Sequence, residues 1–142
     1  SSPAAMEAAL RAGSGKMLIN SVHGSIESLE TVLPLAARYG AAVICLAIGE
    51  KGIPKTPAAR IRVLEKIIAE AVTAGIPRSN LICDTLTLTV SAQQKRGEAT
   101  LETLRIVKNE LKLPTVLGVS NISFGLPQLP GLPILQNRTP SL

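Results

Sequence analysis

Short apolar runs alternate with amphipathic stretches along the whole chain. Four runs lack polar alternation and are rich in branched aliphatic residues, which is typical of strands buried on both faces. They cover residues 16–19, 41–48, 80–83 and 115–119. Between them, apolar residues recur every three or four positions, as in helices that pack one face on a core. Four such units predict an α/β fold with a parallel sheet and right-handed crossovers.

The helical stretches carry start signals and predicted inward faces. Thr56 followed by Pro57 predicts a helix that starts with a capping hydroxyl and a proline in its first turn. Pro34 lies inside the first helical pattern and predicts either a kink or the start of a second helical part. In the last helix, Leu101 is expected to face the core with three other apolar residues, Leu104, Val107 and Leu111.

Polar residues stand where the chain leaves the predicted strands. They are Asn20, Glu50 in a Gly-Glu turn, Asp84 and Asn121. In a parallel barrel all strand carboxyl ends open on one face, so these side chains are expected to converge on one mouth. Two amides and one carboxylate offer hydrogen-bond donors and acceptors. Such a set suits a flat, nitrogen-rich heterocycle, such as a pterin or a purine, better than a phosphate.

Each of these residues also has a purely structural interpretation. Asn121 and Ser123 can satisfy the backbone amides of their loop, as such residues commonly do. Glu50 can cap its loop or pair with Lys51 or Lys55, and we give this interpretation the same weight as a role in the site.

Composition narrows the class of protein. The chain has 142 residues, 46% of them hydrophobic, which suffices for one domain or a part of one. Tyr39 and Phe124 are the only aromatic residues, which argues against base stacking and hence against nucleic-acid binding. The net charge of +5 arises without a run of Lys or Arg. It indicates a solvated helix surface first and, more weakly, attraction to an acidic ligand or partner.

Cysteine usage and run lengths predict the compartment. Cys45 and Cys83 lie inside apolar runs without metal-ligand spacing, so we expect buried, reduced thiols and no metal site. The apolar runs are too short to cross a bilayer, and the first residues show no signal-peptide pattern. A cytoplasmic protein without membrane contact is therefore predicted. His23, the only histidine, is expected in a surface loop.

One stretch carries a family resemblance: residues 118–127, Gly-Val-Ser-Asn-Ile-Ser-Phe-Gly-Leu-Pro. Together with residues 19–22 (Ile-Asn-Ser-Val), residues 49–56 (Gly-Glu-Lys-Gly-Ile-Pro-Lys-Thr) and Asp84, it resembles the pterin-binding methyltransferase family. That family includes the methyltetrahydrofolate-binding domain of cobalamin-dependent methionine synthase and the methyltetrahydrofolate:corrinoid iron-sulfur protein methyltransferases. The resemblance covers residues 1–127, predicted as one partial domain. Residues 128–142 form an unassigned Pro/Leu-rich tail.

The resemblance implies part of a parallel (β/α)8 TIM barrel, about four βα units of it, with a pterin bound at the strand carboxyl ends. It implies that Asn20 and Asp84 hold the pterin and that Gly118 and Ser123 belong to the same pocket. Asn121 is the implied catalytic residue, placed to reach the N5 atom that carries the methyl group. A hydrogen bond to N5 would favour departure of this basic amine as charge develops.

The implied reaction passes the N5 methyl group of 5-methyltetrahydrofolate to a reduced corrinoid, a cobalamin-type cofactor carried on another domain or protein. This domain would then need no metal of its own. A half barrel leaves two sheet edges open, which self-association or further barrel segments must cover. Activity is therefore not expected of every preparation of the isolated chain.

Three alternatives stay open. A dihydropteroate synthase-like enzyme would build a pterin conjugate and should carry a basic phosphate-anchoring element, which we do not find. A non-catalytic folate-binding or assembly module would bind without turnover. A general phosphate-binding barrel enzyme is disfavoured because neither GxGxxG nor GxxxxGK[ST] occurs.

Overall fold

The computed structural model describes residues 2–87 and 95–119. Helices and strands alternate along them: α1 (Pro3–Ala12), β1 (Leu18–His23), α2 (Ile26–Tyr39), β2 (Ala42–Leu46), α3 (Pro57–Thr73), β3 (Leu81–Asp84), α4 (Lys95–Ile106) and β4 (Thr115–Val116). A 3-10 turn, Arg78–Asn80, leads into β3, and a π-helical turn, Val107–Leu111, follows α4. The four strands are parallel and lie in the order β1-β2-β3-β4. The predicted four-unit α/β arrangement is confirmed.

One face of the sheet packs on the helices and forms the core. Side chains alternate between the two faces of a strand, and those on this face are almost fully buried. They include Ile19, Val22, Val43, Cys45, Leu81 and Cys83. The predicted burial of Cys45 and Cys83 is confirmed. From the helices, Leu33, Ala36, Leu64 and Ile67 complete the same cluster.

The opposite face of the sheet is less well covered by the described residues. Leu18 of β1 is 51% exposed and Val116 of β4 is 39% exposed. Both lie on this face because Leu18 pairs with Ala42, and Val116 with Asp84. In a closed barrel the corresponding face is the packed interior.

Helix α1 is an element that the hydrophobic pattern did not predict. The Ser2 hydroxyl accepts a hydrogen bond from Ala5 N at 3.2 Å, and Pro3 occupies the first turn. A carboxylate on α1 then joins it to α2, because Glu7 Oε1 accepts from the Tyr39 hydroxyl at 2.9 Å and from Arg38 Nη1 at 3.1 Å. The Ser-Pro pair is a helix-start signal that the sequence already contains.

The predicted start of α3 is confirmed, and of the two alternatives predicted for Pro34 the start of a second helical part is excluded. Thr56 Oγ1 accepts from Ala59 N at 3.3 Å, and Pro57 is the first helical residue. Pro34 lies inside α2, so no second helix starts there. Pro34 has no N–H, so the carbonyl of Glu30 receives no helical hydrogen bond from it. Both residues are exposed, so water can satisfy that carbonyl.

Helix α4 departs from its predicted inward face at Leu101, whereas Leu104 is half-buried and Leu111 packs against the core. Leu101 is 64% exposed, whereas Thr100 and Thr103 are buried. The threonines are accommodated by hydrogen bonds: the Thr103 hydroxyl donates to Ala99 O at 2.6 Å, and the Thr100 hydroxyl accepts from a buried arginine described below. The prediction for Leu101 was wrong because Thr100 and Thr103 can be buried with their hydroxyls hydrogen-bonded, which a hydrophobic pattern does not indicate; Val107 is buried as predicted.

Candidate functional site

Asn20 lies inside β1, not at its end as the sequence predicted. The strand continues to His23 because its pairing is irregular after Asn20: Asn20 lies opposite Ile44, but Val22 lies opposite Cys45. Ser21 is therefore an extra residue, a bulge that returns Val22 to the helix-covered face. The Asn20 side chain stays on the opposite, exposed face. Within the described residues its amide makes no hydrogen bond, so it is available to a ligand.

Asp84 is the last residue of β3, as predicted. Its Oδ1 accepts a hydrogen bond from Leu86 N at 2.8 Å. Leu86 has a left-handed backbone, with φ of 62°, which aims its N–H back at the carboxylate. In the part of the chain that the structure describes, the Asp84 carboxylate has no other hydrogen-bond partner. One oxygen is thus fixed by the protein and the other is open to a donor from a ligand.

Asn20 and Asp84 lie on the same face of the sheet. Asn20 is level with Ile44 of β2, and Asp84 is level with Leu46, two residues further toward the strand carboxyl ends. One strand, β2, lies between them, so they are roughly 10 Å apart across the sheet. A bicyclic heterocycle that lies over β2 can reach both side chains. The structure therefore brings these two predicted site residues to one surface.

Glu50 stands in a tight turn above the sheet. Gly49 and Gly52 close this turn by exchanging two backbone hydrogen bonds, at 3.0 and 3.1 Å. The Glu50 side chain is 57% exposed and lies 4.0 Å from Lys66 Nζ, which also donates to Gly24 O at 3.0 Å. Its partner is therefore Lys66 of α3, not Lys51 or Lys55 as the sequence suggested.

His23 is a strand residue, which corrects its expected place in a surface loop. It ends β1 and is half-buried, and its backbone N–H donates to Ser28 Oγ at 3.1 Å. Its ring Nδ1 is buried and has no partner among the residues that the structure describes. His23 and Asn20 line a cleft of about 420 Å³ between α1, β1 and α2, and Asp84 does not line it.

Arg60 is a buried charged residue that the sequence did not single out. It lies in the first turn of α3 and is 0% exposed. Its guanidinium donates to Pro54 O at 3.0 Å, to Thr85 O at 3.0 Å and to the Thr100 hydroxyl at 3.0 Å. The position of a charged residue beside the apolar stripe of α3 was the sequence signal that could have indicated its burial. Arg60 thus joins the loop before α3, the chain after Asp84 and helix α4.

The predicted residues near the carboxyl end of β4 fall partly outside the described residues. Strand β4 covers Thr115–Val116, which is shorter than the predicted 115–119, and Gly118 follows it and is exposed. Asn121, Ser123 and the tail 128–142 lie outside the described residues. The roles of Gly118, Ser123 and Asn121 therefore stay predictions, as does the boundary at residue 127.

The two cysteines lie directly opposite each other on β2 and β3 and are free thiols. Burial, together with the neighbouring Cys83 sulfur, raises the pKa of Cys45 to about 12, and burial raises that of Cys83 to about 11. Thiols of this kind do not ionise near neutral pH, so they act as core residues. In residues 2–87 and 95–119, no group of three His, Cys, Asp or Glu could hold a metal ion. No described helix is both long enough and apolar enough to span a membrane.

Comparison with known proteins identifies the family. The family model described as "Pterin binding enzyme" matches residues 1–139. The chain belongs to the pterin-binding enzyme family. The resemblance inferred from the sequence is confirmed, and the four parallel βα units are part of the TIM-type barrel of this family.

Two methionine synthases are similar to this family member. That of Mycobacterium tuberculosis is 34% identical over 134 residues, which cover 87% of this chain and 11% of that protein. That of Mycobacterium leprae is 33% identical over 132 residues, which cover 85% of this chain and 11% of that protein. The chain thus spans about a tenth of the length of these relatives.

Proposed function

We propose that this chain is part of a methyltransferase domain that binds 5-methyltetrahydrofolate and passes its N5 methyl group to a reduced corrinoid. Membership of the pterin-binding family supports a pterin ligand, and the similarity to methionine synthases supports a folate as methyl donor. The observation that carries the proposal is the placement of Asn20 and Asp84. Both lie on one face of the sheet, and each has a hydrogen-bonding group that no described residue uses.

The two side chains have complementary parts in this proposal. Asp84 accepts hydrogen bonds only, so it would bind a ring N–H or the exocyclic amino group of the pterin. The Asn20 amide both donates and accepts, so it would fix the orientation of the ring. Since Leu86 N already holds Asp84 Oδ1, the carboxylate meets the ligand with little side-chain freedom left to lose.

Asn121 is the residue proposed to act at the reacting atom. In the reaction the bond between N5 and its methyl group breaks, the methyl group goes to the corrinoid, and N5 takes up a proton. A side-chain hydrogen bond to N5 that strengthens along this path would lower the barrier. Gly118 and Ser123 would line the same pocket. Glu50, at the mouth but paired with Lys66, would influence it less directly.

The partners follow from the chemistry and from the sheet. The corrinoid would be carried by another domain or protein, a partner that the similarity to methionine synthases supports. Eight strands close a barrel, so the partly open sheet face requires further barrel segments or a second copy of the chain. We expect the protein in the cytoplasm, where reduced thiols such as Cys45 and Cys83 persist.

Titration calorimetry with 5-methyltetrahydrofolate, folic acid and pteroate tests the proposal. The protein should be the longest polypeptide that carries this chain, so that the barrel is closed. We expect the tightest binding for 5-methyltetrahydrofolate and transfer of its methyl group to cob(I)alamin. Preferred binding of pteroate would favour a dihydropteroate synthase-like enzyme, and binding without transfer would favour a folate-binding module. Absence of binding to all three compounds would contradict a folate site.

A further inference from the structure

The carboxylate of Asp84 is hydrogen-bonded to a backbone segment that is itself hydrogen-bonded to other side chains. Leu86 N donates to Asp84 Oδ1 at 2.8 Å, and it can do so because Leu86 has a φ of 62°. A leucine in the left-handed region is unfavourable by itself and persists where its surroundings impose it. Neighbouring groups must therefore stabilise this conformation next to Asp84, the residue proposed to bind the pterin.

The guanidinium of Arg60 stabilises the backbone conformation of Leu86. Its Nη1 donates to the carbonyl oxygens of Thr85 at 3.0 Å and of Leu86 at 3.4 Å, the two residues that follow Asp84. The Leu86 carbonyl also accepts from the Thr100 hydroxyl at 2.9 Å, and Arg60 Nη1 donates to that hydroxyl at 3.0 Å. Both peptide carbonyls after the carboxylate are therefore fixed by one buried cation and its threonine partner.

Arg60 is itself anchored by burial and by a hydrogen bond to a further segment. It is 0% exposed, and its Nε donates to Pro54 O at 3.0 Å in the loop that leads from β2 to α3. A planar guanidinium can bridge three chain segments at fixed angles, which a lysine ammonium cannot.

We propose that Arg60 is a positioning residue for pterin recognition: it fixes the backbone of Thr85 and Leu86, so that the Leu86 N–H holds the Asp84 carboxylate in its binding orientation. Arg60 does not touch the ligand and acts through Asp84. This inference rests on the proposed function for the identity of the ligand, but not for the state of the Leu86 amide.

The first test measures the backbone without any ligand. Hydrogen exchange at the Leu86 amide, followed by NMR, should be about tenfold faster in Arg60→Lys than in the unaltered protein, because the hydrogen bond to Asp84 opens more often. The matched control is Arg62→Lys, an exposed arginine on the same helix, which should leave the exchange rate unchanged. An unchanged rate in folded Arg60→Lys would overturn the proposal.

The second test is a double-mutant cycle on the affinity for 5-methyltetrahydrofolate. Arg60→Lys should weaken binding about tenfold when Asp84 is present, and less than about twofold in an Asp84→Ala background, which has no side-chain acceptor for Leu86 N. A merely structural role would give the same loss in both backgrounds, which would contradict positioning through Asp84. If Arg60→Lys does not fold, Thr100→Val replaces it in both tests. It removes the hydroxyl that bonds Arg60 and Leu86, and the same signs are expected.

The two tests separate this inference from the proposed function. If no folate binds but Leu86 exchange accelerates only in the Arg60 variant, the proposed function fails and the positioning of Asp84 stands. If folate binds and the cycle shows no coupling between the two residues, the proposed function stands and the role of Arg60 fails.

Discussion

Lys16 Nζ lies 2.7 Å from Asn80 Oδ1, which joins the chain just before β1 to the turn just before β3. The Asn80 amide nitrogen also donates to Ala41 O at 3.4 Å, just before β2. One buried asparagine therefore connects the entries of three neighbouring strands. This is the amino end of the sheet, opposite to the end where Asp84 and the proposed ligand lie. In parallel barrels the amino end serves stability and the carboxyl end serves function.

Asn80→Ala is accordingly predicted to affect stability and not binding. It leaves the buried Ala41 carbonyl without the Asn80 amide, whereas the exposed Lys16 ammonium can turn to water, so the free energy of unfolding should fall by about 1–3 kcal/mol. Chemical denaturation measures this loss. Asn109→Ala, at an exposed position, is the control and should change stability by less than about 0.5 kcal/mol. A loss of folate affinity at unchanged stability would contradict this division between the two ends.

Two leucines on neighbouring helices should respond very differently to truncation. Leu64 of α3 is 0% exposed, so Leu64→Ala should lower the free energy of unfolding by about 2–5 kcal/mol through lost burial and a cavity. Leu101 of α4 is 64% exposed, so Leu101→Ala should cost less than about 0.5 kcal/mol. Urea denaturation of both variants compares them. Equal losses would show that α4 packs on the face predicted from its leucines, not on its threonines.

The thiols predict how stability depends on alkaline pH. Burial raises the pKa of Cys45 to about 12 and that of Cys83 to about 11, above the ordinary 9.0 of the unfolded chain. The fold therefore favours the protonated thiols: their contribution to stability is complete below pH 9 and declines as pH rises toward 11 and 12. Cys45→Ala should flatten this decline. Denaturation midpoints at pH 8, 9 and 10 measure it, and a slope that Cys45→Ala does not change would contradict the assignment.

The four strands could be predicted from the sequence because short runs of branched aliphatic residues leave a simple signal. Runs such as the one that contains Val43 and Cys45 have no polar alternation, and both residues are fully buried in β2. The start of α3 at Pro57 could be predicted equally well, because a capping threonine and a first-turn proline act on the backbone next to them.

The features that were missed depend on contacts between distant residues. The bulge at Ser21, which extends β1 beyond Asn20, is set by pairing with β2. The burial of Thr100 on α4 is accompanied by its hydrogen bond to Arg60, a residue 40 positions away. Hydrophobic periodicity reports neither the pairing of strands nor hydrogen bonds between distant residues. The position of Asp84 could be predicted, whereas the arginine behind it could not.

Asn121→Ala tests the proposed action at N5. If the Asn121 amide bonds N5 mainly in the transition state, its removal should slow methyl transfer to cob(I)alamin about a hundredfold and weaken 5-methyltetrahydrofolate binding much less. Stopped-flow absorbance of the corrinoid gives the rate, and titration gives the affinity. Asn109→Ala serves as the control for loss of an amide elsewhere. Equal losses of rate and affinity would mean that Asn121 only positions the pterin.

The most direct test of the folate site is the affinity for 5-methyltetrahydrofolate after changes at the two described residues. Asp84→Asn keeps an acceptor for Leu86 N but removes the charge, and Asn20→Ala removes the amide. Each should weaken binding about tenfold or more, while Glu30→Gln, at an exposed position of α2, should not change it. Isothermal titration of the four proteins decides. Unaltered affinity in both site variants would contradict the account.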